Sequence, residues 1–442
     1  MSSSLGAASL ASLPTVAYGA HRGGRHVAPE ETMAAFRAAV AAGVDYLDMD
    51  ARLLGDGTVV IHHDSTVDRM TSSTGRLAQM TAPGYKRLRT RPDVLAGTVW
   101  PDLELPTAAE ILDEFGGRIV MTIEAKDVAV IPPLAAMIHA RGLAGSVLIN
   151  TNSPTVVADI RGHGVLAHLW RDSSQCTEAD ITAVAACAPD VLEVDYALTD
   201  TRIAEYRSVL PATSRLWAHC TPVHADRDRL ISLGVTGIVG DDPIHMAGRA
   251  PALTRDPFAQ QTWWHGAYPG AGPDRGAFEA PDAWGFPTAT ASWRGVHQQI
   301  QVPDALAAAS YTISLEVKLT AAQTNTRWLA LYLMPDDRPF VDGRPDPGRN
   351  GWGILMRQRG DLDIYRYTDG QGVKAGEGGQ STAFTFGAWV PVTVTVTPAA
   401  VSAARSDSGE PATTVTDPSH RGRHLWLAAS GAAGRFRNIT IS

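Results

Sequence analysis

Within the first 126 residues, histidines, carboxylates and a lysine stand at the ends of short apolar runs. His21 and Arg22 follow "TVAYGA" on a glycine-rich turn, and Asp48 and Asp50 alternate with Leu47 and Met49. His62, His63 and Asp64 end a run that begins at the Asp56-Gly57 turn, and Glu124 and Lys126 end "RIVMTIEAK". Residues two apart on a strand share a face, so Asp48 pairs with Asp50 and Glu124 with Lys126. Two acids on one face are costly to bury without compensation. A cation between them removes that cost. Three carboxylates from two strand ends suit a hard, oxygen-preferring ion, Mg²⁺ or Ca²⁺. Lys126 is one of only four lysines, with Lys86, Lys318 and Lys374, and suits a phosphate. Of the adjacent His62 and His63, one faces such a cluster and the other faces packing or solvent. With His21 and His63 flanking the acids, the set holds the parts that phosphoryl transfer needs: a cation, basic groups, an acid and a base.

These groups need a scaffold that brings distant strand ends together. Up to residue 250, eight β-type runs alternate with alanine-rich helical segments that close on glycine: "TVAYGAHR", "DYLDMDARL", "RIVMTIEAK", "SVLINTN", "GVLAHLW", "VLEVDYAL", "RLWAHC" and "GIVGDD". That alternation predicts an α/β TIM (β/α)8 barrel with its chemistry at the C-terminal strand ends. A doubly wound open sheet is the alternative. Beyond it the helical period fades, and tryptophan-rich alternating runs such as "YTISLEVKL", "RWLALYLM" and "WVPVTVTVT" predict an all-β antiparallel sandwich of jelly-roll, lectin-like type. The expected layout is an N-terminal tail (1–14), the barrel (15–250), a linker (251–262) and the sandwich (263–442). Trp263, Trp264, Trp293, Trp328 and Trp352 are candidates for stacking on sugars, against the commoner role of tryptophan in a sandwich core.

Composition narrows the rest. A chain of 442 residues with 44% hydrophobic and 19% charged residues reads as globular, and a net charge of −8 speaks against nonspecific nucleic-acid binding. No apolar run is long enough to span a bilayer. The first segment has no positive residue before Arg22, so it does not read as a secretory signal. Cys176, Cys187 and Cys220 lack zinc-type spacing and are expected as buried thiols.

The ordered string "AHRGGRHVAPEET", "DYLDMDARLLGDGTVVIHHD", "LPTAAEIL", "IEAK", "LWAHC" and "GVTGIVGDDP" resembles the glycerophosphodiester phosphodiesterase family over about residues 15–247. It places an HRG turn, a P-E-N-T-like element, an E-x-D strand, a D-G turn, an HD pair and an E-x-K strand in the family's order. The resemblance implies a TIM barrel using one divalent cation. It assigns His21 and His63 as the acid/base pair, Asp48, Asp50 and Glu124 to the metal, and Arg22 and Lys126 to the phosphate. Glu30 would support the first turn, and Trp217 would stand in the substrate wall. Three departures are visible: Asp48 replaces the usual glutamate, Glu31 the usual asparagine, and "WAHC" drops the usual polar finish, with His219 read as incidental.

The expected activity is metal-dependent hydrolysis of glycerophosphodiesters or of glycerol-phosphate surface polymers such as teichoic acids, with a surface glycan as partner for the sandwich. Two other readings are a phospholipase D-like enzyme on sphingolipid or lysolipid, and a non-catalytic adhesion or phage tail protein. The expected place of action is extracellular or at the cell surface, by removal of a leader or on a virion, with the cytoplasm left open.

Overall fold

In the computed structural model, the described residues are 8–25, 28–91, 103–221, 223–249, 253–256, 258, 277–279, 281–307, 309–335, 340–341, 344–345, 350–379, 382–417 and 422–442. The chain forms two compact units, one running to Arg249 and the second following it.

The first unit is a barrel. Strands β1 (Ala17–Ala20), β2 (Tyr46–Leu53), β4 (Val120–Ala125), β5 (Val147–Thr151), β6 (Leu166–Arg171), β7 (Val191–Asp195), β8 (Arg215–His219) and β9 (Gly237–Gly240) pair in parallel, and β1 pairs with β2 to close the ring. A short strand β3 (Val59–Ile61) lies antiparallel to the end of β2. Alternation along each strand decides what faces where. Leu47, Met49, Met121, Ile123, Leu169, Leu192 and Leu216 join the apolar core that also takes in Phe36, Ile111 and Leu134 from the helices. The opposite parity fills the interior in two levels. The lower level is apolar: Ala17, Tyr46, Val120, Leu148, Val191, Trp217 and Val239. The upper level carries polar residues on β2, β4, β6, β7 and β8, so the strand ends collect charge.

Two glycines make the lower level possible. A Cβ at Gly19 would lie 2.1 Å from the Tyr46 ring, and one at Gly237 would lie 2.2 Å from Trp217. The expected tail is corrected here. Leu10–Ser12 form a 3-10 turn, and Ala8 and Leu10 donate their backbone N–H groups to Gly117 and Gly145. Leu13 packs under Tyr46 and Trp217, because the open base of a barrel leaves apolar side chains that need a cover.

The second unit is an antiparallel sandwich. A seven-stranded sheet holding Tyr311–Ala322 and Ala432–Ile441 and a six-stranded sheet holding Trp328–Met334 and Gly351–Arg357 share one apolar core. Residues expected as linker belong to this unit. Leu253 and Arg255 bridge to Ile300 and Thr440, Phe258 is buried in the sandwich core, and Asp256 accepts from the Ile439 N–H. An apolar Phe258 next to a free sheet edge explains why they fold in. Trp263 and Trp264 lie outside the described residues. Trp352 is a core residue, while Trp293 and Trp328 are half-buried on the other face of the six-stranded sheet. Among the described residues, no helix is long and apolar enough to cross a membrane.

Candidate active site

The site starts at the end of β1. His21, Arg22 and Gly23 make a 3-10 turn in which Arg22 has a left-handed φ of 51° and the Gly24 N–H donates to His21 O at 2.8 Å. Gly23 is required there, since its φ is 84° and a Cβ would lie 2.8 Å from Ala35. The turn sends Arg22 toward two acids: Nη1 donates to Glu30 at 3.1 Å, and Nε lies 3.2 Å from Asp50 Oδ2. Glu31 also has a left-handed φ, 58°, and its Oε1 accepts the Asp50 N–H at 3.0 Å. Thr32 then caps the helix Met33–Ala41 by accepting from the Ala35 N–H. The "PEET" stretch is therefore a backbone brace between β1 and β2.

Asp50 and Glu124 lie side by side in the β2–β4 register, and both converge on Lys126. Its Nζ is 2.9 Å from Asp50 Oδ1 and 2.7 Å from Glu124 Oε2. Burial opposes ionisation of Asp50, yet Lys126, Arg22 and His63 outweigh it and hold the carboxyl far below its usual range. Glu124 is raised by burial and by Asp50's charge, only partly offset by Lys126. Asp48 is raised well above its usual value by burial and by Glu193, with His21 and His219 opposing. Glu31 is raised in the same way by burial and Asp50. The strand ends thus carry more carboxylate than their cations balance. The three expected metal ligands are not drawn to one ligand-spaced point: Asp50 and Glu124 meet at Lys126, whereas Asp48 faces the other lobe of the site.

That second lobe comes from β6 to β9. Glu193 Oε1 contacts His219 Nδ1, and Glu193 Oε2 lies 3.1 Å from His168 Nε2. His168 Nδ1 contacts Thr122 Oγ1 at 2.6 Å. Burial opposes the Glu193 charge, but the two histidines hold it far below its usual range. His21 Nδ1 donates to Asp241 Oδ1 at 2.6 Å, and Cys220 Sγ lies 3.2 Å from the same nitrogen. Burial disfavours the imidazolium, but Cys220 and Asp241 reverse that and raise His21 to about 10. The Cys220 thiol is raised by burial and, on balance, lowered to about 7 by His21 and His219.

The two adjacent histidines after β3 separate. His63 is partly exposed (31% of its side chain), donates from Nδ1 to Asp64 at 2.6 Å, and interacts with the Asp50, Arg22 and Lys126 charges. Burial lowers it below the ordinary histidine value, only partly offset by Asp50. Asp64 is tied through Arg69 to Glu30, with contacts of 2.6 and 2.7 Å. His62 is 1% exposed, contacts Thr66 O at 3.1 Å and sits edge-on to Tyr85, so it packs a small core under β3.

Two expectations need correction. Trp217 does not stand in a substrate wall. It is fully buried one level down, stacked on Tyr46 at 4.1 Å, because parity along β8 points it inward but its depth puts it below His219. His219 is not incidental, since its ring meets His21 at 4.7 Å and Trp170 at 4.2 Å. Sequence reasoning also missed Glu193, Asp241 and Cys220. The available signal was Glu193, an acid flanked by apolar residues in the strand Val191–Asp195 and at the parity that faces the barrel interior.

Residues 21–131 match the model of the Glycerophosphoryl diester phosphodiesterase family. The human protein described as glycerophosphodiester phosphodiesterase 1 is 40% identical over 95 residues, which is 22% of this chain and 29% of that protein. A glycerophosphodiester phosphodiesterase of Caldanaerobacter subterraneus subsp. tengcongensis is 34% identical over 115 residues, covering 26% of this chain and 46% of its own. The chain thus spans less than half the length of these curated relatives. Among solved structures, a putative glycerophosphoryl diester phosphodiesterase from Silicibacter pomeroyi aligns with a TM-score of 0.47 and 19% identity, over 53% of this chain and 92% of that one.

Proposed function

We propose that the barrel hydrolyses glycerophosphodiesters with the help of one divalent cation, Mg²⁺ or Ca²⁺. The observation that carries this reading is the pair of histidines at one strand-end cluster, each fixed at Nδ1 by a carboxylate and shifted in opposite directions. The match of residues 21–131 to the family supports it. His63, lowered and neutral near pH 7, suits a base at its outer nitrogen; His21, raised to about 10, suits an acid.

The residues present fit a hard cation. Asp50 and Glu124 already turn their oxygens onto one positive charge, the Lys126 ammonium, and Asp48 is buried among carboxylates that a further positive charge would relieve. Asp50 and Glu124, with Asp48 turned in from the other lobe, would hold the ion, which when bound supplies neutralising charge to a phosphate oxygen. Arg22 and Lys126 bind the phosphate. Glu30 and Arg69 hold Arg22 and Asp64 in place, keeping His63 oriented. His63 takes the proton of the attacking hydroxyl, and His21 gives one to the leaving alcohol oxygen.

The substrates in this reading are soluble glycerophosphodiesters or glycerol-phosphate polymers such as teichoic acids. The sandwich holds the enzyme on a surface glycan, with the half-buried Trp293 and Trp328 as stacking candidates, and the place of action is outside the cell or at its surface. The test is a panel of glycerophosphocholine, lysophosphatidylcholine and a glycerol-phosphate polymer, each with Mg²⁺ or Ca²⁺. Glycerol phosphate released from the first or third is the expected result. Turnover of lysophosphatidylcholine alone would replace this reading with a phospholipase D-like one, and binding without turnover with an adhesion role.

A further inference from the structure

The β8 end of the site carries donors of a different chemical character from the carboxylates at β2 and β4. One ligand atom each from His21, His219 and Cys220 lie within 4.8 Å of one another. The arrangement is more than a cysteine near a histidine. Cys220 Sγ and Asp241 Oδ1 both approach His21 Nδ1, at 3.2 and 2.6 Å. Glu193 occupies the Nδ1 side of His219, which leaves Nε2 as its outward donor. A carboxylate on the far nitrogen is how metal-ligating histidines are generally oriented. Cys220 holds a left-handed φ of 48°, an unfavourable conformation for a side-chain-bearing residue, and it is what turns the thiol back toward His21 after β8 ends.

Two imidazoles and a thiol make a borderline-soft donor set. Hard ions prefer oxygen alone, whereas Zn²⁺ takes nitrogen and sulfur in a tetrahedron. Bond lengths of about 2.0 to 2.3 Å in a tetrahedron put the donors roughly 3.3 to 3.8 Å apart, so His21 Nδ1 and Cys220 Sγ, now at 3.2 Å, open slightly while wider spacings, all within 4.8 Å, close. The His219 side chain is 24% exposed, which leaves the cluster open to solvent on one side. We propose that His21, His219 and Cys220 form a three-residue binding site for Zn²⁺, separate in ligands from the hard-ion carboxylates, with Asp241, paired to Arg25 at 2.6 Å, beside it. Binding releases the Nδ1 proton of His21, the Nε2 proton of His219 and the Cys220 thiol proton, and forms two metal–nitrogen bonds and one metal–sulfur bond in their place. Because it engages His21, an occupied site blocks the group read above as the acid. The site itself does not rest on that reading, since its test measures metal and sulfur rather than turnover.

Co²⁺ serves as the spectroscopic probe for Zn²⁺. The full chain, reduced with a thiol-free reductant in excess Mg²⁺, is titrated with Co²⁺ and followed for the thiolate-to-cobalt charge-transfer band. One equivalent should give the band. Cys220→Ser, which keeps the side chain's size but not its soft donor, should abolish it. Cys176→Ser, Cys187→Ser and Asp50→Asn should retain it. A titration without a sulfur band, or a band that survives Cys220→Ser, would overturn the site. A second readout uses the unmodified chain: Zn²⁺ should slow alkylation of Cys220 by iodoacetamide about tenfold or more, while Mg²⁺ leaves it unchanged. Equal alkylation with and without Zn²⁺ would likewise overturn it.

Discussion

Both units bury acids, and they treat them in opposite ways. In the sandwich, Asp361, Asp363 and Glu377 come together, and Arg357, Arg359 and Lys374 meet them: Arg357 Nε reaches Asp363 at 2.7 Å, Arg359 Nη2 reaches Asp361 at 2.7 Å, and Lys374 reaches Glu377 at 3.1 Å. Three acids face three permanent cations. At the barrel's strand ends, Glu31, Asp48, Asp50, Glu124, Glu193 and Asp241 share Arg22, Arg25 and Lys126, and the balance falls to histidines. The first arrangement matches its acids with permanent cations, leaving Asp363 Oδ1 as its one unbonded buried oxygen among the described residues. The second is left short of permanent positive charge, and burial together with that shortage raises Glu31, Asp48 and Glu124, while histidines hold Glu193 low. Balanced charge stabilises a fold, while unbalanced charge at a barrel mouth is available for chemistry.

The largest expected effect breaks the barrel side of this contrast. His21→Ala and His63→Ala should each lower turnover of glycerophosphocholine by about two to four orders of magnitude, the range for a lost acid or base. Circular dichroism should be unchanged. Loss of turnover in neither would leave the pair without a role.

On the sandwich side, Arg357→Ala takes from the buried Asp363 its nearest cation and leaves only Lys374 at 3.4 Å. Breaking a buried pair costs about 3–5 kcal/mol, so the sandwich should unfold at lower denaturant while turnover of a soluble diester by the folded chain stays within about twofold. His62→Ala sharpens the same point inside the barrel. It removes a packed ring beside Tyr85 and should cost about 1–3 kcal/mol of stability with little change in turnover.

The contrast between His62 and His63 also marks how far the sequence could be read. Alternation along β2 and β4 exposed Asp48, Asp50, Glu124 and Lys126, because strict period-two burial leaves polar residues only where a strand faces something other than core. The same parity pointed Trp217 inward but gave no depth, and depth decides whether an inward side chain is lower-level packing or mouth. His62 and His63 stand just past Ile61, where β3 ends and alternation no longer applies. His219, Cys220 and Asp241 meet His21 across about two hundred residues of chain, with Glu193 behind His219. Closing the barrel through β1–β9 brings them together, and no local pattern records that closure.

A smaller effect concerns pH. Turnover should need neutral His63 and protonated His21, so its acid limb should fall below the ordinary histidine value and its alkaline limb near 10. Asp241→Asn removes a negative partner that favours the His21 imidazolium, so the His21 pKa falls and the alkaline limb moves to lower pH, by about one unit or more. A profile fixed on the alkaline side would separate Asp241 from His21's proton. The smallest effect is that of the sandwich itself. Residues 1–249 alone should turn over glycerophosphocholine within about twofold of the full chain and lose rate only on polymer, where a tethered binding module raises local concentration.

One measurement tests the unbalanced cluster most directly: glycerol phosphate release from glycerophosphocholine by the metal-stripped full chain, in chelator and after Mg²⁺ or Ca²⁺ is restored. No release in chelator and recovery with either ion are expected, since Asp48 and Glu124 stay raised beside the chain's own cations and a bound ion would relieve both. Undiminished release in chelator would contradict it.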